Sequence, residues 1–523
     1  MAALQAAKAV AEDATLSAPQ RKAIDNALRD FRLSGVDLPA DKKQRFKEIS
    51  QELSSLTSKF SENVLDATHA WTKLIDDVDA LAGLPESALE LARHNAEQRE
   101  QQGWLLTLDY PSFFPVMNYA DDAQLRREVY EAYQTRASDQ GPHAGRYDNT
   151  QAMERILALR HEQAQLLGFA NYAERSLARK MARTSDEVMH FLHDLAARSK
   201  PQAESELTEL RAFAAERHAV QTLEPWDIAY YSEKLRQHRY NITQEELKPY
   251  FPETRVVPGM FDVVGRLYGV TFHEVDGVDT WHPDVRFYEI RDRDGTERGQ
   301  FYFDLYARKN KRGGAWMDDC QPRMVTRNVA QIPVAYMTCN FTPPVGDKPA
   351  LLTHDEVETL FHEFGHGLHH MLTKVDYSAI SGINGVAWDA VELPSQFMEN
   401  YCWEREALDL LAAHHETGER LPDDLYRRMI AAKNFQSGMQ MLRQLEFALF
   451  DFQIDRADQA GVMDQTPMAA VYRTFRTKTV ALLGETGGAN VWMARRFGAA
   501  HGWPRHVAES YLGRILRYRT GPA

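Results

Sequence analysis

The sequence predicts a mainly α-helical protein with a small β-sheet set into it. Three observations lead there. Apolar residues recur at three- and four-residue spacing from the start to about residue 245, and again from Thr353 past residue 450. Between about 255 and 345 the texture changes to short runs of β-branched and aromatic residues separated by turn formers. No segment repeats at a fixed period, so the helices form an irregular assembly and not a solenoid.

Taken in order, Arg21–Leu33, Glu86–Gln102, Thr150–Gly168 and Ser185–Ser199 read as amphipathic helices. Thr184 offers a cap followed by the early acids Asp186 and Glu187, and Gly168 sits where a helix needs a left-handed residue to end. The middle of the chain offers four strands, Val270–Val275, Val285–Ile290, Gly299–Leu305 and Pro333–Cys339, with Asp294-Gly295 and Gly313-Gly314 as turns. Thr353 and Glu356 form a capping box, so a helix starts at about residue 354. Val357, Leu360, Phe361, Phe364, Leu368 and Met371 then make its buried stripe. From Val471 to Ala523 there are nine basic residues against two acids, and residues 481–523 read as an atypical basic tail.

Composition excludes several functions. With 523 residues, 44% of them hydrophobic and 26% charged, the chain can bury a large core. The net charge of −14 argues against a general nucleic-acid binder and against docking on anionic lipid. No uncharged apolar run reaches the eighteen or so residues of a membrane span, and no secretory h-region follows the first residues. Cys320, Cys339 and Cys402 are too few for a disulfide framework and read as buried, reduced thiols of a cytoplasmic protein.

The predicted helix at 354–371 contains His362-Glu363-Phe364-Gly365-His366. Residues four apart share a helix face, so two imidazoles can close on one metal ion while the adjacent glutamate reaches its outward side. A catalytic zinc needs a third protein ligand and an open fourth position. Glu392 is the candidate, placed just before Pro394 at the start of a second helix. Gly382 and Gly385 let the chain reverse between the two. His370 and Glu358 share the metal-facing stripe, but one straight helix cannot bend a third ligand round the same ion, so they read as supporting or surface groups. Asp389 and Glu399 are expected to hydrogen-bond a ligand imidazole, and His369 has no assigned role.

These segments, with Ser381–Gly385 and Asp389–Asn400, resemble the thimet oligopeptidase (M3) family of zinc peptidases. So do Asp25–Asp30, Thr135–Gly141, Pro225–Tyr231, Trp281–Arg286 and Lys311–Asp319. The resemblance implies that His362, His366 and Glu392 hold one Zn2+ and that Glu363 is the catalytic base. It implies a two-lobed, neurolysin-like zincin with a deep channel, the helical lobe at 1–245 and the catalytic zinc lobe at 246–480. The strand near Gly313–Trp316 would line that channel and pair with substrate backbone, a plain edge strand being the alternative. The expected chain is a cytoplasmic monomer acting on oligopeptides, with no nucleic-acid or membrane partner.

Two departures from the family pattern accompany this. The family carries a further helical segment before the equivalent of the first residue. After about residue 490 it carries a Gly/Tyr-rich stretch whose His and Tyr help hold the oxyanion, where this chain reads Arg495–Arg505 and takes another course. The expectation is an N-terminal truncation and a truncated or frame-altered C-terminal end. The alternative function is therefore a zinc-binding homologue with little or no activity.

Overall fold

The computed structural model describes residues 15–456 except Asp347, together with Ala6, Ala9 and Val10. The expected tail at 481–523, and residues 457–480 of the expected zinc lobe, lie outside the described residues. Helices dominate up to residue 250. Ala18–Leu33 starts on a Ser17–Gln20 capping box, and Thr150–Leu166 ends just before Gly168, whose φ is +84°. The Ser185–His218 helix runs 34 residues, well past the expected end at Ser199, with Pro201 inside it. Its burial explains this: Ala203, Leu207, Leu210 and Ala214 beyond the proline are all in the core, so packing outweighs the lost backbone bond. Part of that core is shared with the Ser437–Arg456 helix, through Leu442, Leu445 and Leu449.

A short strand pair that periodicity did not reveal, β1 (Thr72–Ile75) with β2 (Trp104–Thr107), lies within this helical stretch. Four residues on each strand are too few for an alternation to stand out.

The main sheet holds five strands in the order β3-β4-β5-β9-β6. These are β3 (Val270–Glu274), β4 (Arg286–Asp292), β5 (Glu297–Tyr306), β6 (Trp316–Gln321) and β9 (Val334–Phe341). The small strands β7 (Met324–Val325) and β8 (Ala330–Gln331) pair separately. Four expected strands are present within a residue or two at most ends, and Gly295 takes φ +85° in the β4–β5 turn. β6 pairs antiparallel with β9 and leaves its other side as a free edge.

Alternation divides the sheet's two faces. Phe301, Phe303, Ala335, Met337 and Cys339 face a core built with the His354–Met371 helix, whose stripe Val357, Leu360, Phe361, Phe364, Leu368 and Met371 is buried throughout. Phe261, from the Glu253–Tyr268 helix, stacks on Phe272 at 4.3 Å and meets Phe364 at 5.8 Å. This aromatic packing fixes the rotation of the His354–Met371 helix about its axis. Tyr302, Asp304, Tyr336 and Thr338 alternate onto the other face. Among the described residues no helix is long and apolar enough to cross a membrane.

Candidate metal centre

The motif helix begins as its cap predicts: Glu356 N donates to Thr353 Oγ1 at 3.1 Å, and Thr353 N donates to Glu356 Oε2 at 2.8 Å. With the apolar stripe locked onto the sheet, His362 and His366 turn together to one side, their ring centroids 5.0 Å apart. Glu392 comes from the N-cap of the short Leu393–Glu399 helix, with Pro394 in its first turn. Its Oε2 lies 3.1 Å from His362 Nε2 and 3.2 Å from His366 Nε2. Ser395 Oγ donates to the same Oε2 at 3.0 Å and so holds the carboxylate's rotamer.

The two helices can meet this closely because Gly365 lies between the histidines. A Cβ there would stand 2.6 Å from both Pro394 O and Ser395 Cα. The loop between the helices reverses through Gly382 and Gly385, at φ +61° and +74°. The first of these lies against His370, with a built Cβ only 2.6 Å from its Nδ1.

All of these polar groups are buried. Glu399 Oε1 sits 2.6 Å from His362 Nδ1, which directs the ring's Nε2 towards Glu392. Nδ1 of His366 is buried without a hydrogen-bond partner among the described residues. Burial alone would depress the His362 imidazole. The hydrogen bonds to Glu392 and Glu399 and the charge of Glu363 outweigh it and push its pKa up to about 9. Glu392 shows the converse: burial raises its carboxyl, but bonds to His362 and His366 hold it well below the usual range.

The donor set fits a metal. His362, His366 and Glu392 each offer one atom within 4.8 Å of the others, and among the described residues they form the one such cluster. Ligand bonds of 2.0–2.1 Å in a tetrahedron place the ligand atoms about 3.4 Å apart, near the 3.1 and 3.2 Å observed. Two imidazole nitrogens and a carboxylate oxygen suit zinc with one open position.

The remaining expected residues divide. Glu363 is buried beside His362 on the motif helix. Its charge adds to burial, the larger effect, in raising the thiol of Cys339 on β9. Glu399 contacts a histidine of the pair as expected. Asp389 does not: its carboxylate accepts from Met181 N at 2.8 Å and Ala182 N at 2.9 Å, because the loop carries it towards the helical half and away from the imidazoles. His370 Nε2 meets Gln321 O on β6 at 3.0 Å, and Trp403 Nε1 donates to Glu358 at 3.3 Å. Cys339 and Cys402 are buried and in no disulfide, as expected, whereas Cys320 is exposed because it alternates to the outer side of the edge strand. Gly365 and Ser395 are functional residues absent from the sequence expectations, although a glycine between two histidines of a buried helix is a sign of close approach.

The family profile for peptidase family M3 matches residues 116–503. The chain belongs to peptidase family M3, whose members are metallopeptidases. Within it, the chain is 60% identical over 457 residues to oligopeptidase A of Escherichia coli (strain K12), across 87% of this chain and 67% of that protein. It is 55% identical over 462 residues to oligopeptidase A of Haemophilus influenzae, across 88% and 68%. It is 34% identical over 430 residues to dipeptidyl carboxypeptidase of Salmonella typhimurium, across 82% and 62%. The chain thus spans about two thirds of the length of the curated relatives it matches. A solved structure of PZ peptidase A with an inhibitor shares the fold, at TM-score 0.51 and 15% identity, covering 99% of this chain and 73% of the other.

Proposed function

We propose that the chain hydrolyses short oligopeptides at a zinc ion held by His362, His366 and Glu392, with Glu363 as general base. The observation that carries this is the convergence of two imidazole Nε2 atoms and one carboxylate oxygen beside a buried glutamate. Zinc, when bound, supplies Lewis-acid polarisation of the scissile carbonyl and makes water more acidic. Glu363 takes the attacking water's proton on its carboxylate and delivers it to the leaving amine. Glu399 keeps the His362 ring oriented through Nδ1, and Ser395 keeps Glu392 turned towards the imidazoles. The free edge of β6 offers backbone groups for an extended peptide.

On this proposal the described residues of the expected lobes, 1–245 and 246–480, form the two walls of a channel. Bonds of Asp389 to Met181 and Ala182, and of Lys348 to Glu90 at 2.6 Å, tie the two together. Three thiols outside any disulfide accord with a reducing cytoplasm, where a monomer would act on peptides.

The test pairs zinc content with cleavage of a quenched peptide, for the native chain and Glu363→Gln. The native chain should lose activity to a chelator and regain it with zinc. Glu363→Gln should keep its zinc and cleave about 10²–10⁴-fold more slowly. Undiminished turnover by Glu363→Gln overturns the assignment, and zinc without turnover in the native chain favours the inactive homologue.

A further inference from the structure

On the sheet face turned away from the motif helix lies a cavity of about 560 Å3 that the proposed hydrolysis does not use. Trp316, the first residue of β6, pairs with Thr338 and so projects to the face carrying Tyr336 and Thr338. Met337, on the opposite face, packs towards the metal centre. One wall is the Trp316 indole, with the Arg312 guanidinium laid over it at 4.1 Å. The other is Trp281, whose ring lies 5.6 Å from Tyr336 and whose Nε1 donates to Asp304 Oδ2 at 2.9 Å.

The charges in this cavity do not cancel. Asp304 is consumed by Arg308 at 2.5 and 2.8 Å, by Lys311 at 2.8 Å and by Trp281. Lys309 and Arg312 have no carboxylate within ion-pairing distance among the described residues. Asp318 is the one further acid in the lining. The Arg312 backbone is fixed from outside, since Asn340 Nδ2 donates to Arg312 O at 2.8 Å and to Gly314 O at 2.6 Å. A guanidinium 4.1 Å over an indole, with Lys309 and Trp281 in the same lining, suits a carboxylate carried next to an apolar group.

We propose that this cavity receives a carboxylate of a peptide lying along β6, either its C-terminal α-carboxylate or an Asp or Glu side chain. The placement along β6 rests on the hydrolase reading above; the anion site itself does not. Alternate side chains of a strand paired to β6 point to this face, so a peptide held by the edge delivers its substituents here.

The test uses the full chain carrying Glu363→Gln and three fluorescein-labelled octapeptides of one neutral sequence: amidated, free acid, and amidated with one Glu. Anisotropy should show the free acid or the Glu peptide binding about 10-fold tighter than the neutral amide. Whichever of the two does so identifies the source of the carboxylate. Arg312→Gln should reduce that ratio to about 1, and Lys309→Gln should reduce it partway. Equal affinity for all three peptides, an unchanged ratio in Arg312→Gln, or no binding overturns the inference. Cleavage of the neutral amide by the native chain reports separately on hydrolysis, so either proposal can fail alone.

Discussion

Replacing Gly365 with alanine should damage metal binding far more than it damages the fold. The added Cβ would sit 2.6 Å from Pro394 O and from Ser395 Cα, both backbone atoms that cannot swing aside. Ordinary contact needs about 3.5 Å, so the Leu393–Glu399 helix must retreat by roughly 1 Å. Metal–ligand distances tolerate only about 0.2 Å. Glu392, on the cap of that helix, would leave the imidazoles by several times this tolerance. Zinc affinity should fall at least about 100-fold, since a ligand and not merely its support is displaced. Overpacking costs about 1–3 kcal/mol, and alanine returns up to about 1 kcal/mol of helix propensity, so the variant should still fold. Competition with a chromophoric chelator gives the zinc Kd, and a melting curve gives the stability. Gly367→Ala is the control, because its nearest neighbour is the flexible Met337 side chain, with Sδ 2.7 Å from the built Cβ. A Gly365→Ala Kd within about twofold of the native value would refute the reasoning.

Two further predictions concern the framework. Asp389→Asn weakens the bonds to Met181 N and Ala182 N and should cost about 1–3 kcal/mol in urea unfolding; an unchanged midpoint removes its role as a tie between the halves. Burial raises the Asp304 carboxyl, but bonds from Arg308, Lys311 and Trp281 outweigh it and bring the pKa from 3.8 to about 2. Because the folded value is depressed, its contribution of about 2 kcal/mol is present above about pH 4 and lost as pH falls towards 2. Asp304→Asn should therefore destabilise at pH 7 and converge on the native chain near pH 2. A difference independent of pH would show that packing, not charge, is responsible.

Elements with a strong local signal were legible in the sequence. The Thr353–Glu356 box and the stripe from Val357 to Met371 located the motif helix and its buried side. The alternation in Gly299–Leu305 and Pro333–Cys339 located β5 and β9. What stayed hidden depends on contacts between distant segments. The expected helix stops at Ser199, yet the packing of Leu207 and Leu210 carries it on through Pro201. Asp389 was expected to hydrogen-bond a ligand imidazole, but its carboxylate faces residues 181–182. Gly365 hints at a close approach in the sequence, but what approaches it, Pro394 and Ser395 of the second helix, is fixed by the fold. The bringing together of His362, His366 and Glu392 was anticipated from helical spacing and a loop that turns, while its exact support by Ser395 was not.

The position of a bound divalent ion is the most direct test of the site. A crystal grown with zinc, with data collected at the zinc absorption edge, should give one anomalous peak about 2.0–2.2 Å from His362 Nε2, His366 Nε2 and a Glu392 oxygen. A peak elsewhere, or none with Glu392 turned away from the imidazoles, would contradict it.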